Sequence, residues 1–227
     1  MARLSEIEIR ESPLTYTNQR SWSFHRTGHH VRELLRYHLG RGYELDGSAK
    51  FSVIFGPRPE NEKPLNTVLG VTWCYIEDFD VEDYMLRPVE VQQESILTEL
   101  TKALLEAANT VGSDTAAITD AANAVRESGF AEEITIDKLA RTTEDRKLRV
   151  RVYRCLGPRV GEYWEAKVFD SDNAVLGNEP MTACPHYLNY TDRFSKSTIG
   201  EALYQITSNR TGAIEYTLNL SPYLDNR

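Results

Sequence analysis

The chain has 227 residues, 41% hydrophobic and 26% charged, with a formal net charge of −8. That length buries a substantial core and that composition folds, which excludes a largely disordered chain. The acidic surplus speaks against a nonspecific nucleic-acid binder, which needs concentrated positive charge. No apolar run approaches the roughly 20 residues of a membrane-spanning helix, so no membrane partner is expected. The start MARLSEIEIR lacks an apolar signal core, so the cytoplasm is the expected compartment.

In chain order, Ile7 to Arg26 reads as extended segments. Thr27 then caps an expected helix with apolar positions Val31, Leu34, Leu35 and Leu39, ended by Gly40 and Gly42. Phe51, Val53 and Phe55 alternate as in a strand, and the charged, proline-rich stretch 57–64 makes a solvated loop. Val68 to Ile76 is apolar at both parities, which predicts a central strand covered on both faces. Acidic residues 77–83 lead through Arg87 and Pro88 into the strongest helix, with the stripe Ile96, Leu97, Leu100, Ala103, Leu104, Ala107, Ala108. A second helix starts near Ser113 or Asp114, buries Ala117, Ile118, Ala121, Ala122 and Val125, and stops at Gly129.

The last third alternates instead. Lys147 to Cys155, Tyr163 to Phe169 and Ile214 to Leu220 read as strands, with 171–173 as a hairpin turn. Thr198-Ile-Gly-Glu201 has the form of a capping box and predicts a short helix through Leu203 and Ile206. Strands grouped at hairpin spacing, interrupted by helices, give the expected class: α+β, mainly antiparallel sheet with packed helices. The expected organisation is a single domain over 1–227, with sub-lobes 1–130 and 131–227 as the alternative division.

The chemistry is sparse. The glycine-rich dinucleotide and nucleotide loops, the serine-hydrolase elbow and the zinc-protease helix motif are all missing, so the expectation is no enzyme, no catalytic residue and no cofactor. Three separated cysteines, Cys74, Cys155 and Cys184, make neither a disulfide framework nor a metal knuckle. His25, His29 and His30 are the best metal-ligand group by type, yet Thr27 and Gly28 interrupt the helix turn that would bring His25 and His29 to one side, and a polar helix start explains them as well. Cys184-Pro185-His186 places a thiol beside an imidazole with no orienting carboxylate, which a plain loop cysteine also explains. The basic positions Arg141, Arg146, Lys147, Arg149, Arg151, Arg154 and Arg159 could grip phosphate. Their simpler employment is pairing with the chain's own acids, Glu162 and Glu165 among them.

Five of the seven residues from Glu77 to Asp83 are acidic, with Phe79, Val81 and Tyr84 among or beside them. Acids steer a basic partner in, and aromatic anchors prolong its stay. The bland alternative is a solvated segment whose acids favour the next helix dipole and whose aromatics join the core.

Trp73-Cys-Tyr-Ile-Glu-Asp-Phe-Asp-Val-Glu-Asp-Tyr84, followed by Gln92-Gln93-Glu94-Ser95-Ile96-Leu97 and a long amphipathic helix, resembles immunity proteins of bacterial polymorphic-toxin systems. The likeness covers residues 68–108 and leaves the C-terminal half outside it. It implies a protein that occludes the active site of a cognate toxin, one whose cleft is basic given this chain's acidity. On that reading Asp78, Phe79, Asp80, Glu82, Asp83 and Tyr84 are the partner contacts. The rivals are an enzyme on an unfamiliar scaffold, with acids from 77–83 converging on His25 or His30, and a regulatory or scaffold subunit.

Overall fold

Strand β1 (Glu6–Glu11) pairs in parallel with β2 (Lys50–Phe55), and a parallel pair needs a crossover. Two helices supply it: α1 (Asn18–Thr27) and α2 (His29–His38). The computed structural model describes residues 2–16 and 18–224, and the chain divides into two units, residues 1–131 and 132–227. The expected extended run 7–26 is therefore a strand only to Glu11; Thr17 lies outside the described residues, and from Asn18 the backbone is helical. Tertiary packing overrides the weak local pattern. Phe24 is fully buried, its ring edge-on to Phe55 at 5.2 Å and to Tyr84 at 5.5 Å.

Thr27 does not cap α2. It is the last residue of α1, where its hydroxyl donates to Phe24 O at 2.8 Å and accepts from Tyr84 Oη at 2.8 Å. The cap position falls to Gly28, and the reason is space: a Cβ there would lie 2.3 Å from Ile9 Cδ1. Gly40, at φ +75°, follows the end of α2 as expected.

The run 68–76 is not one strand. Strand β3 (Leu65–Val68) turns back on β4 (Val71–Ile76) through the two-residue loop Leu69-Gly70, giving the sheet order β1-β2-β4-β3. One face is buried, with Ile7, Ile9, Phe51, Val53, Phe55, Thr72 and Cys74 on it. The other face carries Glu8, Arg10, Ser52, Ile54 and Trp73, so β4 is not covered equally on both sides. Both loop residues have positive φ, +52° for Leu69 and +78° for Gly70, and Leu69 is 99% exposed. A leucine held left-handed costs about 1 kcal/mol and packs on nothing in return. Leu69→Asn, which creates the Asn-Gly pair this turn favours, is expected to raise stability by about 1 kcal/mol, seen as a higher urea midpoint at unchanged slope.

After β4 the acidic run forms a short helix of its own, α3 (Val81–Leu86), capped by Asp80, whose carboxylate accepts from Asp83 N at 3.0 Å. The two long helices then form: α4 (Val89–Val111) and α5 (Thr115–Glu127), the latter capped by Asp114. Ile96, Leu97, Leu100, Ala103, Leu104, Ala107 and Ala108 of α4 and Ile118, Ala121, Ala122 and Val125 of α5 are all buried, as the stripes predict. The alanines let these helices approach closely, which is how a short chain segment fills a layer.

The second unit is built of antiparallel sheets. Strands β5 (Glu132–Thr135), β7 (Arg149–Gly157), β8 (Gly161–Phe169) and β9 (Val175–Pro180) lie in that order, and β6 (Arg141–Thr142) also pairs with β7. A second sheet orders β10 (Lys196–Ile199), β11 (Leu203–Thr207) and β12 (Ile214–Asn219), followed by the single turn α6 (Ser221–Leu224). Val150, Val152, Trp164, Ala166 and Val168 from the first sheet pack with Tyr204, Ile206 and Leu218 from the second. The capping-box expectation fails here: 196–207 is a hairpin, with Gly200 N donating to Leu203 O at 2.8 Å. Tyr204 and Ile206 alternate with their neighbours, and burying that period-two face outweighs the local helix signal. The whole is α+β, with mostly antiparallel sheets.

Candidate functional site

The acidic segment lies at the end of β4 and start of α3, and its residues have different employments. Tyr84 is fully buried, packed on Phe24 and Phe79 and bonded to Thr27, so it belongs to the core and presents no surface. Phe79 is half-buried, its ring 4.7 Å from the Phe55 ring. Asp80 caps α3, and Asp83 accepts from Arg87 Nε at 2.9 Å. Glu82 and Asp83 occupy the first turn, where helix-dipole attraction is favourable. Asp78 has no cation partner among the described residues and is exposed.

Helix α4 extends this acidic surface, which segment-by-segment reading did not foresee. Asp78, Phe79 and Asp80 face Glu90, Glu94 and Glu99 across an open groove of about 550 Å³. Glu94 is held by Arg126 in a forked contact at 2.6 to 3.2 Å, which lowers its pKa, and Glu99 meets Lys102 at 2.7 Å. Glu90, like Asp78, has no cation partner among the described residues. The exposed Val91 lines this groove, and Leu86, 86% exposed, and the exposed Val89 neighbour its residues Arg87 and Glu90 along the chain. The sequence held a signal for two of them: Val89 and Val91 are apolar yet fall off the buried stripe of α4.

A second concavity, about 560 Å³, opens at β1 and the exposed sheet face, lined by Glu8, Arg10, Glu11, Tyr16, His25, Glu62, Trp73 and Tyr75 among others. His25 thus meets acids other than those of 77–83. Burial first, then the charges of Arg32 and His29, holds its pKa down to about 4, so the ring is neutral near pH 7. The other two histidines are committed elsewhere. Arg32 donates to His29 Nδ1 at 3.1 Å, and the Gln93 amide lies 2.7 Å from His30 Nε2. A guanidinium among the three rings disfavours a metal cation there.

In the second unit two of the basic positions pair with the chain's own acids, Arg154 with Glu162 and Lys147 with Asp145, whereas Arg141 donates to backbone carbonyls and Arg149 and Arg151 lie over the Phe169 ring. Arg154 donates to the fully buried Glu162 at 2.6 Å. Lys167 bridges Glu133 at 2.7 Å and Glu165 at 3.0 Å while lying 4.3 Å from the Tyr153 ring centre. Glu133, Cys155 and Glu165 have metal-ligand proximity, but Lys167 already supplies their cation, and burial raises the Cys155 thiol to about 12. Cys184 is exposed, and His186 is fixed by backbone bonds to Val160 and Glu162, with its ring 4.8 Å from Tyr190. Comparison with known protein families, curated proteins and solved structures finds no match to this chain.

Proposed function

We propose that this protein binds and neutralises a basic protein partner, in the manner of the bacterial toxin-immunity proteins that residues 68–108 resemble, by covering that partner's active cleft. The observation that carries the reading is the groove lined by Asp78, Asp80, Glu90, Glu94, Glu99 and the exposed Val91, with Leu86 and Val89 exposed next to its residues Arg87 and Glu90 along the chain. Carboxylates there outnumber the single lining cation, Arg87, so the groove attracts positive charge, and the aliphatic rim offers area to desolvate. These aliphatic residues take the anchoring role that Tyr84, being buried, leaves open.

The test uses the cognate basic protein captured on the tagged chain and identified by mass spectrometry. Neutralising Asp78, Asp80, Glu82 and Asp83 to amides keeps the cap at position 80, since asparagine also caps. The expected result is association slowed about tenfold at low salt, with the difference narrowing as salt rises. Replacing Leu86 and Val91 with serine is expected to hasten dissociation instead. Unchanged rates in both variants would remove the groove from the interface.

A further inference from the structure

We infer that the concavity on the exposed face of the β1-β2-β4-β3 sheet is a binding site for an organic cation, an ammonium or guanidinium group. The register sets its floor: Glu8 and Trp73 flank the buried Ser52 in one row across three strands, and Arg10, Ile54 and Tyr75 form the next row. Trp73 is half-buried and lines the cavity with Tyr75 and Tyr16, three aromatic rings in one hollow. Their π faces attract a desolvated cation, tryptophan most strongly.

The charges agree with the rings. Glu8, Glu11 and Glu62 line the cavity against Arg10 alone, and His25 adds no charge at neutral pH. Glu8 is already balanced, by Lys50 at 3.1 Å and Arg10 at 3.8 Å, and it accepts from Ser52 at 3.1 Å. Glu62 is different. Arg58 donates to the Glu62 backbone carbonyl and to the Glu77 carboxylate, and the Glu62 carboxylate itself has no cation partner among the described residues. It acts on Tyr75, raising the phenol's pKa together with burial, which puts the acid beside an aromatic wall. Nδ1 of His25 is buried without a hydrogen-bond partner among the described residues, a polar atom that a ligand N–H would satisfy. The hollow, about 560 Å³, is of small-ligand size.

This site is separate from the acidic groove, so either can fail alone. The experiment titrates the intact chain, carrying Trp22→Phe so that Trp73 dominates the responsive fluorescence, with choline, methylguanidinium and 3,3-dimethylbutanol, the uncharged isostere of choline. Saturable binding of choline or methylguanidinium, at least tenfold tighter than the isostere, is expected. A Gly-Arg-Gly peptide binding more tightly than methylguanidinium identifies a protein side chain as the source of the cation; weaker binding identifies a free small molecule. Glu62→Gln, on a surface loop, is expected to weaken binding at least fivefold by calorimetry, and Trp73→Leu to abolish it. No saturation with either cation, equal binding of the isostere, or wild-type affinity in both variants would overturn the inference.

Discussion

Truncating Glu162 to alanine is expected to destabilise the second unit by about 3 to 5 kcal/mol. Its carboxylate is fully buried and holds three donors: Arg154 Nη2 at 2.6 Å, Trp164 Nε1 at 2.5 Å and the Tyr190 amide at 3.2 Å. Removing it takes a carboxylate from a guanidinium that is itself only 8% exposed, and the acceptor from the Trp164 and Tyr190 N–H groups. Arg154→Met alone is expected to cost a similar amount, because it removes a charge-assisted donor from the buried carboxylate. The double variant Arg154→Met, Glu162→Gln keeps an acceptor for Trp164 and Tyr190 and removes both charges, so most of the loss should return. Urea midpoints read from Trp164, with Trp22 and Trp73 replaced by phenylalanine, measure this. Additive losses in the double variant would show that the two residues do not act as a pair.

The second expectation concerns acid. His30 is 3% exposed, and burial, with the neighbouring His29 charge, holds its pKa near 4 against an ordinary 6.5. The folded state therefore binds this proton less readily than the unfolded chain. The stabilisation is complete above pH 6.5 and is lost as pH falls from 6.5 towards 4, by roughly 3 kcal/mol over that window. His25 adds a smaller share in the same direction, since it is less buried. Carboxylates with lowered pKa, such as Glu94, act lower on the pH scale. His30→Gln keeps an amide contact to Gln93 but does not titrate, so it should flatten the slope of stability between pH 6.5 and 4.5 whatever its effect at pH 7. An unaltered slope would assign the acid loss to other groups.

What the residues alone determined was whatever depends on local period and chain punctuation. The α4 and α5 stripes, strands β2, β7, β8 and β12, and the α+β class follow from where apolar side chains recur, because 3.6- and 2-residue periods put them on one face of one element. The acidic segment was likewise visible as a run of charge. Tertiary structure decided the cases where two local readings competed. Thr198-Ile-Gly-Glu201 reads as a helix start, yet burial of Tyr204 and Ile206 against the facing sheet makes 196–207 a hairpin. The segment 18–27 has little apolar pattern and becomes helical around the buried anchor Phe24.

The candidate sites divide along the same line. That 77–83 is acidic needed no fold, but that Tyr84 is core and that Glu90, Glu94 and Glu99 join Asp78 and Asp80 needed β4, α3 and α4 in place. Trp73 and Glu62 are 11 positions apart along the chain, and Glu8 is farther still. Only strand register and the fold of loop 57–64 put them around one hollow, since side-chain convergence depends on pairing between strands, which no single stretch of sequence encodes.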